Sequence, residues 1–297
     1  MKCIISGSSG FLGSALGDSL PIGAIKLSRS KKEGTVLLDL TDNRSVGDFI
    51  SHHMPGEFDC FIHCAGAVPW REEASFSDDI TIAENVATIC KNLNIRKLLF
   101  ISGWVVYGED SKVPFSEKAD CNPLTRYGLS KLQQERFFLN ELTDSNTIVI
   151  NMRLSTVYGP GQISPGLISN TTLAAIKQSI VRLDSIKTKR DYLYIDDFIK
   201  ITKSIIAYDF KKNHTINISS GTSHSVMDIA KYIQEAVKGI FGYDVVIETP
   251  QVTQESSILD NRLDISLLNS IYKGNQTTLK NGIREYVYWV RNNENNI

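Results

Sequence analysis

Tyr127 and Lys131 stand four residues apart in RYGLSK (126–131). On an α-helix that spacing puts both side chains on one face. There the ammonium can stabilise a phenolate and draw the tyrosine's pKa down towards the working range, so that the phenol exchanges a proton with a bound hydroxyl. The same spacing also decorates ordinary helix surfaces. The pair therefore takes its meaning from the chain around it.

A second group lies at the N-terminus, where GSSGFLG places Gly7, Gly10 and Gly13 directly after the apolar run KCIIS (2–6) and at the opening of a helix-like stretch, 11–20. Such a turn lets the backbone approach a pyrophosphate, whose charge meets free N–H groups and the positive end of the helix dipole. A tight structural turn would use the same glycines. In an NAD-type arrangement an acid at the end of the second strand takes the ribose hydroxyls, but here that strand ends Leu27-Ser28-Arg29-Ser30. Arg29 suits a 2′-phosphate, so NADP(H) is expected over NAD(H). Asp39, with Leu40 after it, is placed to meet the adenine amino group.

The elements that must position these groups are legible as periodicity. Apolar runs at 2–6, 24–28, 35–39, 60–65, 97–102 and 147–153 read as buried parallel strands, and helix-like stretches at 11–20, 43–53, 78–94 and 126–142 lie between them. This βα alternation predicts an α/β fold with a doubly wound parallel sheet, whose ligand crevice lies at the strands' carboxyl ends. After about residue 155 the pattern loosens through GPGQISPG (159–166), then runs helix-like over 167–182, strand-helix over 192–209, strand-turn-helix over 214–241 and helix again over 279–292. A smaller C-terminal lobe is expected there.

Composition narrows the ligand. Thirty-two basic and thirty-three acidic side chains leave a formal charge of −1, so no bulk term pulls the chain towards nucleic acid or an anionic membrane. No run reaches a membrane span and the opening lacks the pattern of a secretory signal, so a cytoplasmic protein is expected. Five cysteines without a CxxC predict free thiols. His63 and Cys64, inside an apolar run, read as buried strand residues, and no metal site is expected.

Beyond these readings, a series of motifs resembles the extended short-chain dehydrogenases/reductases that act on nucleotide sugars: GSSGFLG, HCAGAV (63–68), Asn85 in ENVATIC, VVYG (105–108), Pro114 and Glu117, PLTRYGLSK (123–131), RLSTVYGPGQ (153–162), RDYLYIDD (190–197), INISSGT (216–222) and RLD (262–264). They occur in the family's order and cover nearly the whole chain. The resemblance implies a Rossmann domain over 1–160, with 192–222 returning to it, and a substrate-binding lobe over 161–191 and 223–297. It implies cofactor contacts from Gly7, Ser9, Gly10, Phe11, Leu12, Gly13, Cys64, Ala65, Gly66 and Asn85, and from Tyr127 and Lys131 at the nicotinamide ribose. A nucleoside-diphosphate sugar would meet Arg190 and Arg262 through its diphosphate, with Asn170 a further contact, while Trp104 and Trp70 would line the sugar pocket or pack in the core. A homodimer through the 78–94 and 126–142 helices is implied by the same analogy.

One departure from the family is informative. The serine or threonine usual three places before the valine of VYG is Gly103 here. Ser102, a water or another hydroxyl such as that of Thr125 must replace it, or the donor is dispensed with; Ser102 is the reading preferred, although alternation along a strand aims neighbours at opposite faces. Trp104 and Val105 also stand where 4,6-dehydratases carry an Asp-Glu pair, and Val105 where the GDP-fucose-forming epimerase/reductases carry cysteine. A 4-reductase of a 4-keto-6-deoxy sugar nucleotide is thus expected. Its rivals are a 4-epimerase with bound NAD and a cofactor-binding sensor without turnover.

Overall fold

The computed structural model describes residues 1–20, 23–67, 76–108, 111–163, 165–183, 186, 188–249 and 259–293. Val68, Trp70 and the last four residues of the polar tail lie outside the described residues. Two compact units emerge: Met1–Ser111, Glu117–Leu154 and Ile201–Asn217 form the first, and Lys112–Ser116, Ser155–Lys200 and Ile218–Ile297 the second.

The first unit alternates β1 (Cys3–Ser6), α1 (Phe11–Ser19), β2 (Ile25–Ser28), β3 (Val36–Leu37), α2 (Asn43–Ser51), β4 (Cys60–His63), α3 (Asp78–Asn92), β5 (Lys97–Gly103), a single 3₁₀ turn (Trp104–Val106), α4 (Arg126–Glu141) and β6 (Ile148–Leu154). β1, β4 and most of β5 and β6 are buried throughout, as expected for parallel strands covered on both faces. Helix starts follow their caps: Asp42 accepts from the Arg44 N–H before α2, and the Thr125 hydroxyl oxygen accepts from the Gly128 N–H before α4.

The chain continues through β7 (Thr156–Tyr158), α5 (Leu167–Gln178), β8 (Ile180–Arg182), β9 (Lys189–Tyr194), α6 (Ile195–Ala207), β10 (His214–Ile218), β11 (Ser223–Ser225), α7 (Val226–Phe241), β12 (Val246–Glu248), α8 (Ser266–Ile271) and α9 (Leu279–Asn292). β10 joins the first six strands in one seven-stranded parallel sheet of order β10-β6-β5-β4-β1-β2-β3. The order reverses beside β1, with β2 on one side and β4 on the other, so the carboxyl end of β1 is a topological switch point. In the second unit, β11-β9-β7 and β12-β8 make two small sheets. α7 there starts on a reciprocal Ser225/Asp228 capping box and stops at Gly242 (φ 82°).

The expected division needs correcting at its edges. The first unit ends at Leu154, not 160, because β7 pairs with β9 instead of extending the large sheet. Its returning segment is 201–217, not 192–222, because β9 and the first turn of α6 pack in the second unit. The helix expected over 167–182 ends at Gln178: Ser179 takes a left-handed conformation (φ 55°), and 180–182 becomes β8, paired with β12. No helix among the described residues is long and apolar enough to cross a membrane.

Candidate active site

The first-unit site is built at the ends of β1, β4 and β5 and along one face of α4. Gly7 follows β1 with φ +67°, a region that penalises side chains, and a Cβ there would lie 2.6 Å from the Ala65 nitrogen and 2.7 Å from the Cys64 carbonyl carbon. A Cβ on Gly13 would collide with the Gly7 carbonyl group. Both glycines thus let the loop and helix close onto the backbone at Cys64 and Ala65. Gly10 precedes α1, and no side chain caps that helix. A helix N-terminus whose first N–H groups have no side-chain cap, behind a turn bounded by two glycines, fits a pyrophosphate. Ser9 is exposed and Phe11 and Leu12 half-buried along this turn, while Gly66 is exposed beyond Ala65.

Gly7→Ala is expected to destabilise the protein by about 1–3 kcal/mol, because strain and a backbone clash coincide. Urea melts check this, and dinucleotide affinity should fall in the same variant.

The adenosine end is less open than expected. The Asp39 carboxylate accepts from the Thr41 N–H at 2.9 Å and hydroxyl at 2.8 Å, so one of its oxygens already closes a turn. Asn85 is buried and donates to the Leu40 carbonyl and to Asn43 Oδ1, both at 2.9 Å. It ties α3 to the loop after β3. Arg29 is exposed just beyond β2.

Tyr127 and Lys131 do share a face of α4: the Lys131 ammonium lies 5.8 Å from the Tyr127 ring centroid and 4.9 Å from that of Phe100. Lys131 is almost fully buried and donates to the Ile101 carbonyl at 3.1 Å. Desolvation lowers its pKa, against the opposing pull of Asp79, Cys64 and Glu135. Desolvation likewise pushes the Tyr127 hydroxyl up to about 12, with Asp79 adding to the rise. The direction is opposite to the expected depression of the phenol's pKa: burial raises it first and the Asp79 carboxylate adds to the rise.

Ser102 is also placed differently from expectation. It pairs across the sheet with Arg153, and its hydroxyl donates to Glu135 Oε1 at 2.5 Å. Glu135 in turn accepts three hydrogen bonds from Arg153, of 2.7 Å, 3.1 Å and 3.2 Å. With its only proton given to that carboxylate, Ser102 is a member of a buried ionic cluster and not the free donor wanted for a reacting oxygen. The Thr125 oxygen is used as a cap, although its proton has no such claim on it. Gly103 is extended (φ −153°), and a Cβ there would meet only ordinary contacts, 3.6 Å from Val105 Cγ2 and 3.8 Å from the Leu154 carbonyl oxygen. Packing does not require glycine at that position. Trp104, half-buried, begins the 3₁₀ turn.

His63 is neutral: burial, with Lys131 beside it, drops its pKa to about 3, and its Nδ1 shares a 2.7 Å hydrogen bond with the Ser6 hydroxyl. Burial also pushes the Cys64 thiol up to about 12, which makes it an inert neighbour of the loop. Sequence reasoning passed over Asp79. It lies in the first turn of α3, is 1% exposed, and accepts from the Ala67 N–H at 3.0 Å and the Ser130 hydroxyl at 2.5 Å. Its only sequence signal was an acid near a helix start.

Of the residues assigned to the second unit, Asn170 is exposed on α5. Arg190 lies on β9 and Arg262 on the segment that bridges to it through Lys189 and Asp260. Arg262 lines a pocket of about 300 Å³ with Pro114, Asp264 and Asn269, and its buried Nε has no hydrogen-bond partner among the described residues.

Comparison with known proteins agrees with this architecture. The description "NAD dependent epimerase/dehydratase family" matches residues 3–219. A Methanocaldococcus jannaschii protein named "Putative UDP-glucose 4-epimerase" is 26% identical over 98% of both chains. The dTDP-4-dehydro-6-deoxyglucose reductase of Escherichia coli is 31% identical over 69% of this chain and 67% of its own. Among solved structures, the UDP-glucose 4-epimerase of Thermotoga maritima with UDP-glucose superposes with a TM-score of 0.82 at 21% identity, covering 99% of this chain and 100% of its own. With that match over most of its length and a relative at 31% identity, the chain belongs to the NAD dependent epimerase/dehydratase family.

Proposed function

We propose that the protein is an NADPH-dependent 4-reductase of a 4-keto-6-deoxy nucleoside-diphosphate sugar, acting in the cytoplasm in deoxy-sugar synthesis for a polysaccharide. The observation that carries this reading is Arg29: where an NAD-type turn offers a carboxylate, the residue just past β2 is an exposed guanidinium, suited to a 2′-phosphate and hence to the cofactor of net reductions. The similarity to the Escherichia coli reductase supports it. Arg190, Arg262 and Asn170 are assigned to the substrate's diphosphate, and α3 and α4 to a homodimer contact that sedimentation would reveal.

When bound, NADPH would supply a hydride to the sugar's C4 carbonyl, with the Gly7, Gly10 and Gly13 turn holding its pyrophosphate and Tyr127 and Lys131 its nicotinamide ribose. As the carbonyl's π electrons move onto oxygen, Tyr127 gives that oxygen its proton, leaving a phenolate that solvent reprotonates. Lys131 holds positive charge beside the phenolate during this interval. A hydroxyl kept in its protonated form, as Tyr127 is, suits a proton donor.

Arg29→Ala is expected to raise KM for NADPH about 10- to 100-fold, the worth of a charge-assisted hydrogen bond, with little change for NADH. Steady-state kinetics with both cofactors test this, and an equal effect on both would remove the basis for the NADPH assignment. The second reading, a 4-epimerase, is favoured by the full-length similarity to the Methanocaldococcus jannaschii protein. It requires tightly held NAD, recoverable from denatured protein, and a Tyr127 that first removes a proton.

A further inference from the structure

The buried carboxylate of Asp79 has no part in the proton transfer as described, yet its charge bears on both Tyr127 and Lys131. It sits on α3 and reaches α4 through the Ser130 hydroxyl, one residue before Lys131. A Cβ built on Gly66 would lie 3.4 Å from Asp79 Oδ1 and 3.6 Å from the Lys131 ammonium, so the carboxylate and the ammonium converge on one point from two helices. They do not pair directly: Lys131 bonds Ile101, and Asp79 bonds Ala67 and Ser130. Two hydrogen bonds and the N-terminal end of α3 stabilise the negative charge without consuming the ammonium's. A charge so held acts on its neighbours through space in a region poor in water.

We propose that Asp79 is a positioning residue of the Tyr127/Lys131 pair, its carboxylate keeping both groups in their proton-bearing forms and so favouring delivery of a proton over its removal. This rests on the reductase reading for its benefit to turnover, since a reductase must donate at Tyr127 and an epimerase must first accept there. The neighbours are few. Asp79 and desolvation bear on the Tyr127 hydroxyl; Asp79, the Cys64 thiol and Glu135 bear on Lys131; and His63 is neutral nearby. Among the described residues, Asp79 is the one acid acting on both.

Ultraviolet titration of tyrosinate, taken as the difference between the protein and its Tyr127→Phe variant, reads the phenol without cofactor or substrate. In the native protein Tyr127 should titrate well above an ordinary phenol, near pH 12. Asp79→Asn, which keeps the side chain's shape, should lower that midpoint by roughly one pH unit, while Asp79→Glu should keep it high. Ser130→Ala, which removes a hydrogen bond but no charge, should leave it in place. With substrate, the alkaline limb of kcat/KM for NADPH oxidation should move to lower pH in Asp79→Asn alone. A native midpoint at or below that of a free phenol overturns the proposal even if Asp79→Asn does not fold. So does a folded Asp79→Asn with an unmoved midpoint, or a Ser130→Ala that moves it as far. Because the titration needs no turnover, a shifted midpoint in a protein that never oxidises NADPH would retire the reductase reading and leave the role of Asp79 standing.

Discussion

Tyr127→Phe is expected to lower kcat for NADPH oxidation by about 10²- to 10⁴-fold, the usual contribution of one positioned acid. The change removes a single oxygen. The ring, half-buried and 6.2 Å from that of Phe76, keeps its packing, and Lys131 keeps its bond to the Ile101 carbonyl. Dinucleotide binding, followed by fluorescence, should therefore persist while turnover disappears. The loss is expected to be large because two neighbouring positions have no proton to give the C4 oxygen: the Ser102 proton is given to Glu135, and Gly103 has none to offer. Unchanged turnover in Tyr127→Phe would leave the cofactor-binding sensor as the better reading.

Glu135→Ala is expected to destabilise the fold by about 3–5 kcal/mol, with Tm lower by on the order of 10 °C. Arg153 is 7% exposed and Glu135 3% exposed on their side chains, and the pair is reinforced by the Ser102 proton and by the Tyr107 ring, 4.8 Å from the guanidinium carbon. Removing the carboxylate leaves a buried guanidinium without its counter-charge, the costly half of a broken buried pair. A double change, Glu135→Leu with Arg153→Met, should recover much of the loss by replacing two charges with apolar volume. Urea and thermal melts of the single and double variants decide this; a single variant within 1 kcal/mol of the native protein would show that water reaches Arg153.

The same cluster marks where sequence reading reached its limit. β1, the glycine turn and α1 were legible to within about a residue, because an apolar run, three glycines and an amphipathic stretch all agree on one local structure. The α4 pair was legible for the same reason. Ser102 was not, because its partner stands 33 residues away and only the folded sheet brings Arg153 beside it. Alternation along β5 said that Ser102 and Gly103 face opposite ways, but not which way holds a carboxylate. Asp79 looked like an ordinary acid at a helix start, since nothing local signals that Ala67 and Ser130 enclose it. The expected fall in the Tyr127 pKa failed because spacing reports the ammonium's proximity and is silent on desolvation. The break at Ser179 had no glycine or proline to announce it, and β7, β8 and β11 are too short for a period to develop.

The most direct measurement uses NADPH carrying deuterium in the transferable position with a 4-keto-6-deoxy sugar nucleotide, followed by NMR and mass spectrometry of the sugar. The expected result is one NADPH oxidised per sugar consumed, with the deuterium bound to C4 of a single alcohol epimer. The contradicting result is a saturated 4-hydroxy sugar nucleotide interconverted between its two C4 epimers, with no NADPH consumed, no deuterium incorporated and NAD recovered from the protein.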